Sequence, residues 1–359
     1  MADGAKFPGQ QAQNRRGRKK VAAVKTVNLA LQGGGAHGAF TWGVLDRLCE
    51  APQLSIEGIS ATSAGAMNAA VFVSGLTSGG REGARSALEN YWRRVSQAGA
   101  ASPLQNNFFG NLFGFGAQDQ SPAFLAFDLM TRILSPYQFN PLNLNPLRSL
   151  LQHSVDFEAL RASTCPVKLF LSATNVRTGK VKIFENPEIT PDAVLASSCL
   201  PFLFQAIEID GEAYWDGGYM GNPAIFPLIY GCDSHDVVIV HINPIERAKL
   251  PRTATDIMNR INEISFNSSL MREMRAVSFV TQLIDDGKLV DPKFSRMLIH
   301  AIAADDMMSS LGVASKMSTD WKFLTRLRDA GRDCAEAWLA QHFDALGSRS
   351  TVDIGAVYL

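Results

Sequence analysis

Short apolar runs alternate with stretches of helical period along the first part of the chain. Val27–Leu31 is a mostly apolar run bounded by polar Lys25 and Gln32, which predicts a buried strand. Gly33, Gly34, Gly35 and Gly38 follow, and Ala39–Leu48 then carries Phe40, Val44, Leu45 and Leu48 at helical spacing. Leu54–Ser60 predicts a second strand, which runs through Ala61–Gly65 into an Ala-rich helix ending near Ser74. Strand, tight turn and helix, given twice in succession, predict an α/β fold with a parallel sheet.

The pattern changes further on. Residues 84–98 predict a surface helix. Residues 99–121 hold Phe108, Phe109, Phe113 and Phe115 among Gly, Asn and Gln with hardly a charge. A loop of that length reads as a lid, or as a segment pinned over the core by its aromatics. Short helices are expected over 122–162. Pro166–Thr174 and Lys180–Phe184 predict strands, Pro191–Ser198 a helix, and Ile207–Tyr214 a hairpin turning at Asp210-Gly211. Val237–Ile242 is the clearest buried strand. Beyond it, Phe266, Leu270, Met274, Val277 and Ile284 share one helical face, as do Leu324, Leu327, Cys334 and Trp338. Both stripes are expected to face the core. Arg296–Ile302 predicts a last strand.

Composition narrows the class. Apolar residues make up 46% and charged residues 19% of 359, the balance of a globular chain. Lys and Arg match Asp and Glu at 34 each, so there is no global field to attract nucleic acid. The balance hides a basic start: Lys6, Arg15, Arg16, Arg18, Lys19, Lys20 and Lys25 against Asp3 alone. This tail, residues 1–25, reads as a solvated disordered arm or as a contact for anionic lipid. The five cysteines, Cys49, Cys165, Cys199, Cys232 and Cys334, are scattered and odd in number, which argues for free thiols in a reducing compartment. No apolar segment follows the basic tail as a signal peptide would require, and no stretch reads as a membrane span. The expected location is cytoplasmic, with peripheral contact at a membrane.

Three segments carry candidate chemistry. Gly33-Gly34-Gly35-Ala36-His37-Gly38 lies between a strand and a helix. Glycines there expose backbone N–H groups beside a helix N-terminus, a place for a phosphate or an oxyanion. Ala61-Thr62-Ser63-Ala64-Gly65 also lies between a strand and a helix. Small residues two before and two after Ser63 suit a nucleophile elbow, with Ala61 where G-x-S-x-G has its first glycine; the other reading of Ser63 is a helix N-cap. Asp216-Gly217-Gly218 follows Tyr214-Trp215 and precedes Asn222-Pro223. It reads as a turn, or as a carboxylate set against another loop.

Taken together, Gly33–Gly38, Ala61–Gly65, Ser197–Pro201 and Asp216–Gly218 resemble the patatin-like phospholipases, over roughly Val27–Tyr230. The resemblance implies a three-layer fold, a mostly parallel sheet between helices related to the α/β hydrolases, here with a helical C-terminal layer. It places the catalytic domain over 26–230; no linker-like stretch sets 231–359 apart, so that part is expected to pack on it as one continuous domain. The resemblance further implies Ser63 as nucleophile, Asp216 as base, and Gly33, Gly34 and Gly35 as oxyanion-hole donors, joined by the N–H of Ala64. Gly38, Gly65, Gly217 and Gly218 support these turns. His37 stands where many members carry Arg or Lys, leaving the loop weakly cationic, or neutral above the histidine pKa.

The expected activity is hydrolysis of phospholipid acyl esters, with a neutral-lipid or small-ester carboxylesterase, or a catalytically silent binding protein on the same fold, as alternatives. A dinucleotide-dependent oxidoreductase would need an acid beyond the glycine loop at a second strand end; Glu57 sits inside the strand ahead of the serine turn. No metal or other cofactor is expected, since the six histidines form no ligand pattern. His235 beside Asp236 is expected to lie outside the chemistry. Phe202, Leu203 and Phe204 are candidates to line an acyl pocket.

Overall fold

A computed structural model describes residues 24–100, 133–291, 293–312 and 314–359. The expected basic tail, apart from its last residues, and most of the aromatic loop at 99–121 lie outside the described residues.

An eight-stranded sheet forms the middle of the molecule. Its strands are β1 (Lys25–Leu31), β2 (Leu54–Ala61), β3 (Lys168–Asn175), β4 (Val181–Glu185), β5 (Ile207–Ile209), β6 (Glu212–Asp216), β7 (Asp236–Val240) and β8 (Leu298–Ile302). They run in the order β5-β6-β3-β2-β1-β7-β8, with β4 also paired to β3. The five strands β3-β2-β1-β7-β8 are parallel, and β4, β5 and β6 add antiparallel pairs. Every residue of β7 is buried, which is why it reads as a continuous apolar run: parallel strands covered on both faces lose the alternation of a half-exposed strand. The hairpin turns at Asp210 (φ 51°) and Gly211 (φ 79°), the two left-handed residues that match the twist of its strands.

Helices cover both faces. The main core lies between the sheet and helices α1 (Gly38–Cys49), α2 (Ala64–Ala100), α3 (Pro191–Ser197) and α5 (Trp321–His342). A second apolar cluster joins Val237, Ile239 and Ile299 of the sheet to Leu270, Met274 and Val277 of α4 (Ala254–Asp285). Both C-terminal stripes therefore face the core, although Phe266, Ile284 and Cys334 are only half-buried. The helices expected to end near Ser74 and to begin near residue 84 meet at Gly79 and Gly80, the two non-helical residues inside α2. The chain reverses there: Tyr91 donates to Met67 Sδ at 2.9 Å and Trp92 Nε1 to Asn68 Oδ1 at 3.0 Å. The last two strands belong to the same sheet as the first two, since β7 pairs with β1 and β8 with β7.

Register fixes where the loops meet. Leu31 of β1 is opposite both Ala61 of β2 and Val240 of β7. Three neighbouring parallel strands thus end level, so the turns after them lie side by side at the carboxyl edge of the sheet, where ligands bind in open α/β sheets. β3 changes partner near its end, from β2 to antiparallel β6, and Ala173 faces Asp216. That switch brings the end of β6 to the same edge.

Candidate active site

The turn after β2 is sharp. Ser63 has φ 56°, a left-handed conformation costing a non-glycine residue about 1–3 kcal/mol. Several bonds hold it. Thr62 N–H donates to Leu31 O at 3.2 Å, Gly65 N–H to Thr62 O at 2.8 Å, and Thr62 Oγ1 to Gly221 O at 2.6 Å. Ser63 N–H donates to the Ser197 hydroxyl at 3.0 Å, so the end of α3 braces the turn. Gly65 passes over β1: a Cβ there would lie 2.4 Å from Leu31 O. Ala61 is fully buried at the strand end, where its methyl is accommodated. Ala64 opens α2, so its N–H belongs to the first turn, which lacks intrahelical acceptors.

The glycine loop packs directly on this elbow. A Cβ on Gly33 would meet Ser63 Cβ at 2.5 Å, so any side chain there would displace the serine. Gly33 N–H is already engaged, donating to Asn222 Oδ1 at 2.7 Å. Of the four donors expected at an oxyanion, Gly34, Gly35 and Ala64 keep theirs outside this bond. Gly35 adopts φ 61° beside the Lys316 carbonyl. Gly38 accepts from Asn68 Nδ2 at 2.9 Å through its carbonyl, fixing the start of α1 against α2.

Asp216 ends β6. Its backbone is held by Cys199 O, which accepts its N–H at 2.8 Å, and by Thr174 Oγ1, which donates to its carbonyl at 2.8 Å. The side chain is fully buried. Oδ1 accepts from Gly218 N–H at 2.7 Å, while Oδ2 has no partner within hydrogen-bond distance among the described residues. Burial pushes the carboxyl pKa up to about 6, against the opposing pull of the Ser63 hydroxyl and the Gly218 N–H. A carboxyl near neutrality, with one oxygen unspent beside a serine hydroxyl, can accept that hydroxyl's proton. Gly217 packs against Ser172 O and Gly218 against the ring of Phe266.

His37 does not charge the loop. Burial first, then Lys316 and Arg247, hold its pKa at about 3, and its Nε2 pairs with Ser315 Oγ at 2.7 Å. The ring is neutral at physiological pH. His235 is exposed at the start of β7, the opposite edge of the sheet from Ser63. Glu57 is at that edge too, its carboxylate accepting from Asp233 and Ser234 N–H at 2.8 Å each and pairing with Lys168 at 2.9 Å. Phe202 is 66% exposed, whereas Leu203 and Phe204 are half-buried. All five cysteines are free. Among the described residues, no group of His, Cys, Asp or Glu is placed to hold a metal, and no helix is long and apolar enough to cross a membrane.

Sequence reasoning missed a buried polar frame beneath the loop. Gln32 Oε1 accepts from Ile242 and Asn243 N–H at 3.0 Å each, and its Nε2 donates to Asn267 Oδ1 at 3.1 Å. Asn243 Nδ2 donates to Gly33 O at 2.6 Å. Gly33 is thus held through its N–H by Asn222 and through its carbonyl by Asn243. The only local signal for this was Asn222-Pro223, six residues past Asp216.

A serine at a strained strand-to-helix turn, a buried acid and a glycine turn packed together have the arrangement of a nucleophile elbow. The family model for "Patatin-like phospholipase" matches residues 29–229, and the chain belongs to that family of lipid hydrolases. VipD from Legionella pneumophila is similar at 15% identity and a TM-score of 0.43, over 89% of this chain and 68% of VipD. ExoU, solved with SpcU from the type III secretion system of Pseudomonas aeruginosa, is similar at 14% identity and a TM-score of 0.34, over 90% of this chain and 77% of that one. Comparison with curated proteins finds no match.

Proposed function

We propose that the chain hydrolyses carboxylic esters of phospholipids through a Ser63–Asp216 dyad and an acyl-serine intermediate. What supports the reading is Ser63 at its left-handed turn and a fully buried Asp216 whose pKa burial raises to about 6, with the Ser63 hydroxyl among the groups that act on that carboxyl. Asp216 takes the Ser63 proton as Oγ attacks the acyl carbonyl. The negative charge on the carbonyl oxygen is met by N–H groups of Gly34, Gly35 and Ala64, each donor of this kind typically worth about 10²–10³ in rate. As the tetrahedral adduct collapses, the C–O bond to the leaving alcohol breaks and Asp216 returns the proton to that oxygen. Water then attacks the acyl-serine and gives its proton to Asp216. The ester bond to Ser63 breaks, Asp216 protonates Oγ, and the fatty acid leaves.

The substrate is an acyl ester presented by a phospholipid, reached by transient contact with a membrane surface. The test is mass spectrometry of lipid extracts incubated with wild type and Ser63→Ala. Free fatty acid and lysophospholipid are expected from wild type alone. Equal release by a folded Ser63→Ala protein would overturn the assignment, and release from short soluble esters only would point to a small-ester carboxylesterase.

A further inference from the structure

Beside the glycine loop lies a cavity of about 520 Å³, walled by the segment after β7, the first turns of α4, residues 308–312 and Lys316. It has no part in the proposed chemistry. Three cations gather at its inner wall: Arg247, Arg260 and Lys316. Among the described residues one carboxylate pairs with this group, and it pairs with the two arginines alone. Glu263, only 3% exposed, accepts from Arg247 Nε at 3.0 Å and Nη2 at 2.6 Å, and from Arg260 Nη1 at 3.2 Å. Among the described residues, the Lys316 ammonium has the neutral Asn243 Oδ1 as its hydrogen-bond acceptor, at 2.9 Å. Desolvation lowers the Lys316 pKa, Glu263 raises it, and Arg247 lowers it again, the net direction being down. Lys249 and Arg252 stand at the exposed rim, with Asp256 as the other acid there.

At this inner wall three positive charges, on side chains that are only partly exposed, face one buried negative charge, an excess of two. Buried charge is tolerated when it is paired. A phosphate monoester brings about −1.5 to −2 charges and three acceptor oxygens, which matches that excess in sign and size. Arginine forks and a lysine point charge are also the side chains that recognise phosphate. Leu250, 79% exposed between Lys249 and Arg252, gives the rim an apolar tip of the kind that rests on acyl chains.

We propose that this cavity binds a phosphate monoester, carried by a lipid headgroup or by a soluble ligand, and that its occupancy stiffens the glycine loop. The link to the loop is short. Lys316 Nζ donates to Asn243 Oδ1, and Asn243 Nδ2 donates to Gly33 O. Lys316 also lies with its carbonyl against Gly35, and Ser315 next to it holds His37. An anion that orders the ammonium therefore acts on three positions of the loop.

The experiment uses the full chain with Ser63→Ala, so that binding is read without turnover and apart from the proposed hydrolysis. Calorimetry is run with inorganic phosphate and glycerol 3-phosphate, and flotation with phosphatidylcholine vesicles lacking or containing phosphatidic acid. Binding in at least one phosphate arm is expected. Retention on phosphatidic acid vesicles without soluble binding assigns a lipid source, and binding of glycerol 3-phosphate assigns a soluble one. Lys316→Met is expected to weaken binding roughly tenfold or more, as the loss of one charged hydrogen bond implies. The exposed rim pair Lys249→Glu with Arg252→Glu, which leaves the inner wall intact, is expected to weaken it similarly should Lys316→Met not fold. Hydrogen exchange of the peptide spanning residues 32–38 is expected to slow on binding. No binding in any phosphate arm, or binding indifferent to both sets of changes, would overturn the site; unchanged exchange would overturn its link to the loop.

Discussion

Replacing Asp216 by asparagine keeps the shape of the side chain and removes its charge. The carboxyl is fully buried and its pKa is about 6 in the folded chain, against 3.8 for the ordinary group. Between those values the native state holds a proton that the unfolded chain has released, so stability falls as pH rises. At about 1.4 kcal/mol per pH unit, the gap of roughly two units makes ionisation cost about 3 kcal/mol of folding stability. The loss begins near pH 4 and is complete above the folded pKa. Asp216→Asn lacks that ionisation, while its Oδ1 can still accept from Gly218 N–H. Urea unfolding at pH 4 and pH 8 measures the effect, because constant differences between the two side chains cancel. The variant is expected to gain roughly 2–3 kcal/mol on wild type between the two pH values, while losing ester hydrolysis. A variant whose stability tracks wild type across that range would refute the reasoning that Asp216 is a desolvated, functionally strained acid.

In the proposed dyad, the same raised pKa sets the pH profile. Asp216 accepts a proton only when ionised, so kcat/KM is expected to fall on the acid side with an apparent pKa near 6, and an acid limb near pH 4 would contradict it. Gly65→Ala puts a Cβ within 2.4 Å of Leu31 O. It is expected to destabilise the fold by about 1–3 kcal/mol and to displace Ser63, read by thermal melts and by turnover. Asn222→Ala frees the Gly33 N–H. It is expected to lower kcat more than it changes KM, because the bond it removes holds the loop rather than the ground-state substrate; a pure KM effect would assign Asn222 to binding.

Local pattern carried the strands and the turns. Val27–Leu31 and Val237–Ile242 were legible because strands buried on both faces are mostly apolar, and Asp210-Gly211 because two consecutive left-handed residues favour that pair. The break at Gly79 and Gly80 was half-legible: two helices were expected, with a gap rather than a two-residue reversal, since nothing short of the Tyr91–Met67 and Trp92–Asn68 contacts fixes how they fold back. Ser63, Asp216 and the glycines were legible as motifs, because turns that tolerate only small residues leave a dense local signature. The frame beneath them was not. Gln32, Asn222, Asn243, Asn267 and Lys316 are spread over most of the chain and converge only because β1, β2 and β7 end at one level. No periodicity marks a side chain whose partners are that far apart in sequence. Gly33 illustrates the cost: its place in the motif was plain, yet its N–H is bound to Asn222.

The central claim is that Ser63 is a nucleophile activated by Asp216, and covalent labelling tests it most directly. The full chain is treated with a fluorophosphonate and digested, and the modified residue is located by mass spectrometry. A single adduct on Ser63, absent from Ser63→Ala and strongly slowed in Asp216→Asn, is the expected result. A folded wild-type chain that takes no label, or takes it at another residue, would contradict it.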